Sequence, residues 1–106
     1  MIDPKLRIES IESVVMSMQG LNSRERWESY ATIRDLTEDL VILAKSRGRW
    51  HGRVREEVTN FLRGVERLAD LPGGHDAAWR LREAMMALDL LRRPGLFQDR
   101  EGSRII

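Results

Sequence analysis

The residues whose types and spacing could do chemistry lie mainly between positions 45 and 55, where five cations and a tryptophan occur without an acidic residue. Arginine pairs with phosphate through two parallel hydrogen bonds, tryptophan stacks on nucleobases, and glycine lets a ligand approach the backbone closely. The segment therefore predicts an anion site, which makes a nucleic-acid-binding regulator one functional hypothesis. The residues that would form the site are Lys45, Arg47, Arg49, Trp50, Arg53 and Arg55.

The same segment has a purely structural interpretation, which we favour. Basic residues near the end of a helix are stabilised by the helix dipole, and Arg53 and Arg55 can pair with neighbouring glutamates. The net charge of the chain is only +1, which gives a weak field for general nucleic-acid binding. The helices predicted on either side are also too long and even for a helix-turn-helix. An acidic protein partner is the third interpretation of this segment.

Catalysis has few candidate residues. The two histidines, His51 and His75, fall on different turns, and the chain has no cysteine. No HExxH, Walker or GxSxG pattern occurs. Adjacent acids at 38–39 and 56–57 could face each other, but neither pair has the histidine of a di-metal bundle. We therefore expect a non-enzymatic protein with no metal and no cofactor.

Two helices are predicted before this segment. Asp3 and Pro4 are suited to the N-cap and first position of a helix whose apolar stripe ends near Met18 and which stops at Gly20 as a C′ residue. Asn22 with Glu25 predicts a capping box for the second helix, which closes at 46–48. Its inner stripe is Ile33, Leu36, Leu40 and Leu43, and its other apolar residues are Trp27, Val41 and Ile42.

Two more helices follow the segment. The third runs from about Trp50 to Asp70 on a 4-3-4-3 apolar pattern, with Gly64 predicted to mark a close helix crossing. The turn at 71–74 precedes an Asp76 cap, and the fourth helix runs to 92 or 93. Residues 94–106 lack helical periodicity and are predicted to be a mobile tail.

These elements predict an all-α protein with a single domain over 1–93. Short connections favour antiparallel neighbours, hence a four-helix bundle or paired helical hairpins, approximately up-down. An interlocked dimer that completes the core is the competing architecture. No run is long and apolar enough to span a membrane, and the N-terminal residues do not resemble a signal peptide. We therefore expect a cytoplasmic protein.

The fourth predicted helix has two apolar faces. At about 100° per residue, its core stripe consists of Leu81, Ala84, Leu88 and Leu91. Trp79, Met86 and Leu90 lie on the opposite side. Three interpretations remain open: the helix is central and covered by its own chain, it forms a homodimer, or it binds a different protein. Leu96 and Phe97 of the tail could also fold back over the second stripe.

In size and helical build the chain is similar to small bacterial regulators such as antiactivators that mask a transcription factor. It is equally similar to secretion chaperones and immunity proteins, and no motif separates these classes. The functional hypothesis is a regulator, homodimeric, that binds a protein by steric occlusion through an apolar helical face. The predicted protein-binding residues are Trp79, Met86, Leu90, Trp27 and Ile42.

Overall fold

The computed structural model describes residues 3–71 and 77–92 of the 106-residue chain. Over these residues the fold is all-helical, which confirms the predicted class. The helices are α1 (Pro4–Ser17), α2 (Ser23–Ser46), α3 (Gly52–Ala69) and α4 (Ala77–Leu91), with a 3₁₀ turn at Met18–Gly20. The Asp76 cap and the tail at 94–106 lie outside the described residues.

Local hydrogen bonds explain where the first two helices begin. The Asp3 carboxylate accepts a hydrogen bond of 3.0 Å from the Lys5 N–H, and Pro4 occupies the first turn. At α2 the Asn22 side chain accepts from the Glu25 N–H at 2.8 Å, and the Glu25 carboxylate accepts from the Asn22 N–H at 3.1 Å. The predicted capping box is therefore present.

The helix ends differ from the prediction at Gly20. The α-helix α1 ends at Ser17 and continues into the 3₁₀ turn at Met18–Gly20, which leaves two residues before α2 begins at Ser23. The left-handed glycine is instead Gly48, with φ of 69°. Its N–H donates to the Lys45 carbonyl at 3.1 Å, and the Arg49 N–H donates to the Ala44 carbonyl at 2.8 Å. This is a Schellman motif that satisfies the last carbonyls of α2.

Each helix packs against its neighbour in the chain, and α1 also packs against α4, which is consistent with a bundle. Arg7 of α1 forms an ion pair with Asp39 of α2 at 3.4 Å, and Arg92 at the end of α4 pairs with Glu12 of α1 at 2.8 Å. The first pair joins the early part of α1 to the late part of α2, and the second joins the end of α4 to the middle of α1. The helices α1 and α2 therefore run antiparallel.

The core lies between the helices and includes residues from each of them. The apolar stripe predicted for α3 is fully inside. Phe61 is completely buried, and the other buried members are Val54, Val58, Val65 and Leu68. In α2 the prediction was partly wrong, because Val41 is buried while Leu36 and Leu43 are only half-buried. The inward face of α2 is centred on 33, 37, 40 and 44, which places 36 and 43 on its flank.

Gly64 lies where α3 and α4 approach closely, as predicted. A Cβ atom added to Gly64 would lie 3.5 Å from the Cα of Ala84. This is ordinary van der Waals contact, so a small side chain would just touch the facing helix. The crossing therefore brings two backbones together at a pair of small residues.

A buried cation at one end of the bundle was not predicted. Arg26 is 5% exposed, and its guanidinium donates hydrogen bonds to three backbone carbonyls. It reaches Leu21 at 2.8 Å, Ala69 at 3.5 Å and Leu71. Since Ala69 ends α3, the positive charge lies at the negative end of that helix's dipole. Arg26 therefore joins the α1–α2 connection to the end of α3.

Candidate protein-binding face

The helix α4 has one buried and one exposed apolar face. Ala84, Leu88 and Leu91 are buried in the core, and Leu81 is half-buried against it. On the opposite side Trp79, Met86 and Leu90 are 56%, 63% and 42% exposed. We call these three residues the α4 outer face. No described part of the chain covers it, and the predicted contact with Leu96 and Phe97 lies outside the described residues.

The α4 outer face has charged residues on both flanks. On one flank Arg80 and Glu83 form an ion pair of 2.9 Å, so these two charges are already neutralised. On the other flank are Arg82 and Asp89, seven residues or about two turns apart. The Asp89 carboxylate is 67% exposed and contacts Arg92 through one oxygen at 3.2 Å. Arg82 is exposed and has no ion pair with any residue that the structure describes.

An exposed methionine of α1 lies beside this second flank. Met16 is 58% exposed and follows Glu12 by four residues, so the two side chains share one side of α1. That side is turned toward α4, because Glu12 forms the 2.8 Å ion pair with Arg92. Because Arg92 also contacts Asp89 of the second flank, Met16 adds apolar surface on the side of α1 that is turned toward this flank.

The other two predicted protein-binding residues lie elsewhere. Trp27 and Ile42 are 38% and 52% exposed on α2, which packs mainly against α1 and α3 rather than α4. Trp27 also packs edge-to-face against the ring of Tyr30, with centroids 5.6 Å apart. These two residues are about 22 Å apart along the helix, at 1.5 Å per residue. The structure thus does not join them to the α4 outer face.

Trp50, the aromatic residue of the basic segment, already makes contacts within the protein. Trp50 is half-buried against the core, and the Lys45 ammonium lies 5.6 Å from the centre of its ring. One part of the indole is therefore used in packing and another in a cation–π contact. A nucleobase would have to displace Lys45 before it could stack on that face.

The two arginines of the basic segment that belong to α3 lie on different sides of that helix. Arg53 forms an ion pair with the largely buried Glu57 at 3.5 Å. Arg55 is exposed two residues later, which turns it by about 200° around α3. Arg47 is exposed at the end of α2, and Arg49 is half-buried in the connection. Arg53 and Arg55 therefore lie on different sides of α3, whereas Lys45 and Trp50 are in contact.

The remaining polar candidates are also dispersed. Asp39 and Glu57 contact different arginines, and Glu38 and Glu56 are exposed, so the acids considered as a pair do not face each other. His51 precedes α3 without a side-chain capping bond, and His75 lies outside the described residues. In the described ranges no three His, Asp or Glu side chains are grouped as metal ligands. No described helix is long and apolar enough to cross a membrane.

Sequence reasoning missed Arg82, Asp89 and Met16 as neighbours of the exposed stripe. The signal for Arg82 and Asp89 was present, because a spacing of seven puts two residues on one side of a helix. For Met16 the required information was the packing of α1 on α4, which is not local.

No known protein family, curated protein or solved structure matches the chain.

Proposed function

We propose that this protein is a small, non-catalytic regulator that binds another protein through the α4 outer face. The observation that carries the proposal is the exposure of Trp79, Met86 and Leu90 on one line of a helix whose other side is the core. Contiguous exposed apolar surface of this kind is typical of interaction sites. Tryptophan and methionine are enriched in the centres of interfaces, and tryptophan often anchors binding energy.

The available binding energy can be estimated from the exposure of these side chains. Complete burial of a large apolar side chain contributes roughly 1.5–3 kcal/mol. Because each of the three is about half exposed, covering the whole line contributes about 2–5 kcal/mol. This amount can decide whether a partner binds, but a stable complex also needs contacts from the flanks.

The proposed mode of action is steric occlusion. A protein that acts in this way covers the functional surface of its partner and needs no reactive groups of its own. The α4 outer face would provide the apolar contact surface for this. The specific form of the proposed role is that of an antiactivator, in which the masked partner is a transcription factor. A second copy and a regulated partner can use the same surface at different times. Binding of one would then exclude the other.

The test is affinity capture from the native host with matched baits. Wild type should retain a partner that Met86→Glu loses, because the carboxylate would be buried in an apolar contact. The control bait Asn60→Glu places the same charge on the exposed side of α3 and should retain the partner. With the purified partner, Met86→Glu should weaken binding by at least about 30-fold, or 2 kcal/mol. Equal binding by Met86→Glu and wild type would contradict the proposal.

Nucleic-acid binding through segment 45–55 is the alternative function, and it has less support. Its two arginines on α3, Arg53 and Arg55, lie on different sides of that helix, and Trp50 is already in contact with Lys45. The bait Arg49→Ala/Arg53→Ala separates the two functions. It should retain the protein partner under our proposal, whereas the alternative requires this variant to lose a nucleic-acid ligand whose affinity falls steeply with salt.

A further inference from the structure

The charges beside the α4 outer face are arranged so that one copy of α4 complements another. On the first flank the Arg80–Glu83 pair is closed within the helix. On the second flank Arg82 has no ion pair in the described part of the chain, and Asp89 has one carboxylate oxygen that is not used by Arg92. One cation without an ion pair to any described residue and one available acceptor oxygen therefore lie on the same side of α4.

The spacing of these charges selects the orientation of a second helix. In a parallel two-fold pair in register, opposite flanks of the two helices come together, so the flank with Arg82 and Asp89 would meet the Arg80–Glu83 pair, which is already closed within its own helix. In an antiparallel pair related by a two-fold axis, the same flanks of both helices come together, and residue i meets residue j while j meets i. Arg82 then meets Asp89 of the second copy, and the pair occurs twice.

This register also brings the α4 outer faces of the two copies opposite each other. If Arg82 is opposite Asp89 of the second copy, the two Met86 residues are offset by only about 1.5 Å along the helix axis. Trp79 lies within about 3 Å, along the axis, of Leu90 of the second copy. Methionine would thus occupy the centre, with a tryptophan–leucine contact on each side. Charge pairing and apolar pairing are satisfied in one arrangement.

We infer that the α4 outer face binds a second copy of this chain, as an antiparallel two-fold helix pair with Met86 at the axis and reciprocal Arg82–Asp89 ion pairs. The inference rests on the proposed function, because it names the occupant of the same surface. The three apolar side chains present on the order of 300 Å² per copy. A standard interface needs roughly 800 Å² per partner, so Met16 and the helix flanks must contribute the rest. We therefore expect a dimer that dissociates on the order of micromolar concentrations.

A charge exchange tests the orientation. Arg82→Glu and Asp89→Arg should each weaken dimerisation by about tenfold, as measured by sedimentation equilibrium of the full chain, because each variant opposes like charges. The double variant Arg82→Glu/Asp89→Arg should recover to within about threefold of wild type, because the pairs form again with opposite sign. Arg63→Glu on the exposed side of α3 is the control and should leave the dimer unchanged. Failure of the double variant to recover would overturn the antiparallel register.

A single introduced cysteine tests the position of the axis, since the chain contains none. With oxidised glutathione as oxidant, two thiols at the axis lose two electrons and two protons and form an intermolecular disulfide. Met86→Cys should therefore give a covalent dimer on a denaturing gel much faster than the Asn60→Cys control on α3. Equal rates for the two variants would overturn the inference, as would a wild-type mass that stays monomeric at several hundred micromolar.

The outcomes separate this inference from the proposed function. If wild type is monomeric but Met86→Glu still loses a protein partner, the surface binds a different protein and the dimer is wrong. If the charge exchange restores the dimer but capture is insensitive to Met86→Glu, the dimer stands and the proposed partner site is wrong. Circular dichroism of each variant should show unchanged helicity, because all the substituted side chains are exposed.

Discussion

Replacing Arg26 with methionine should destabilise the protein strongly, although the change makes the residue more apolar. Arg26 is 5% exposed and donates to the carbonyls of Leu21, Ala69 and Leu71. Methionine has a similar length and fills much of the same space, so the substitution removes mainly the hydrogen bonds. The result therefore measures what the guanidinium contributes beyond its packing.

The magnitude follows from the three acceptors. A hydrogen bond from a charged donor contributes about 1.5–3 kcal/mol, but water can replace the donor at a partly exposed carbonyl. The contacts with Leu21 and Leu71 are partly buried, whereas the contact with Ala69 is buried and would leave an unsatisfied acceptor. A buried methionine loses about as much rotamer freedom as a buried arginine, roughly 1.5–2 kcal/mol, so this contribution nearly cancels. We expect a net loss of about 2–4 kcal/mol in the free energy of unfolding.

The measurement is urea denaturation followed by circular dichroism, with thermal unfolding as a second probe. A loss of this size lowers the melting temperature by about 10–25 °C for a domain of this length. Arg26→Lys keeps the charge but cannot span three carbonyls, so it should lose about half as much. The control Arg24→Met removes an arginine that is 88% exposed and pairs with Glu28 at 3.7 Å. This control should change stability by less than about 0.5 kcal/mol.

A small effect would refute the reasoning about Arg26. If Arg26→Met unfolds within about 0.5 kcal/mol of wild type, then the three carbonyls are satisfied equally well by water or by rearrangement. An effect as large for Arg24→Met would show instead that loss of positive charge, and not the specific contacts, destabilises the variant.

Two further predictions concern the helices themselves. Gly64→Ala should raise the free energy of unfolding by up to about 1 kcal/mol, because the added Cβ only touches Ala84 and alanine is the better helix former. Gly64→Val should lower it by about 1–3 kcal/mol through overpacking at the crossing, and equal urea midpoints for the two variants would contradict this geometry. Asn22→Ala should cost about 1 kcal/mol, since it removes one half of the capping box of α2. Thermal unfolding measures this loss, and an unchanged melting temperature would show that the cap is dispensable.

If the α4 outer face is shared by a second copy and by a regulated partner, concentration becomes part of the regulation. A dimer that dissociates near micromolar concentrations would release the surface when the protein is scarce or when the partner competes. The charge variants can separate these states, because Arg82→Glu should weaken the dimer while leaving Trp79, Met86 and Leu90 in place. A partner that depends only on the apolar line would then bind this variant more readily than wild type.

Local sequence patterns determined most of the helical elements. The Asn22–Glu25 box, the Gly48 ending and the apolar period of α3 act within one or two turns, so residues a few positions apart carry the whole signal. The exposure of one side of α4 was also foreseeable in part, because its two apolar stripes are on opposite sides of one helix.

Only the tertiary structure decided which surfaces are covered. Val41 is inside and Leu43 is on the flank because α2 is turned by its neighbours, not by its own period. Arg26 is buried because acceptors 43 and 45 residues away lie beside it. The basic segment is continuous along the chain, yet Arg53 and Arg55 lie on different sides of α3, and Trp50 is packed against the core. Periodicity reports which residues share a side of a helix, whereas burial and convergence depend on contacts between helices that are distant in sequence.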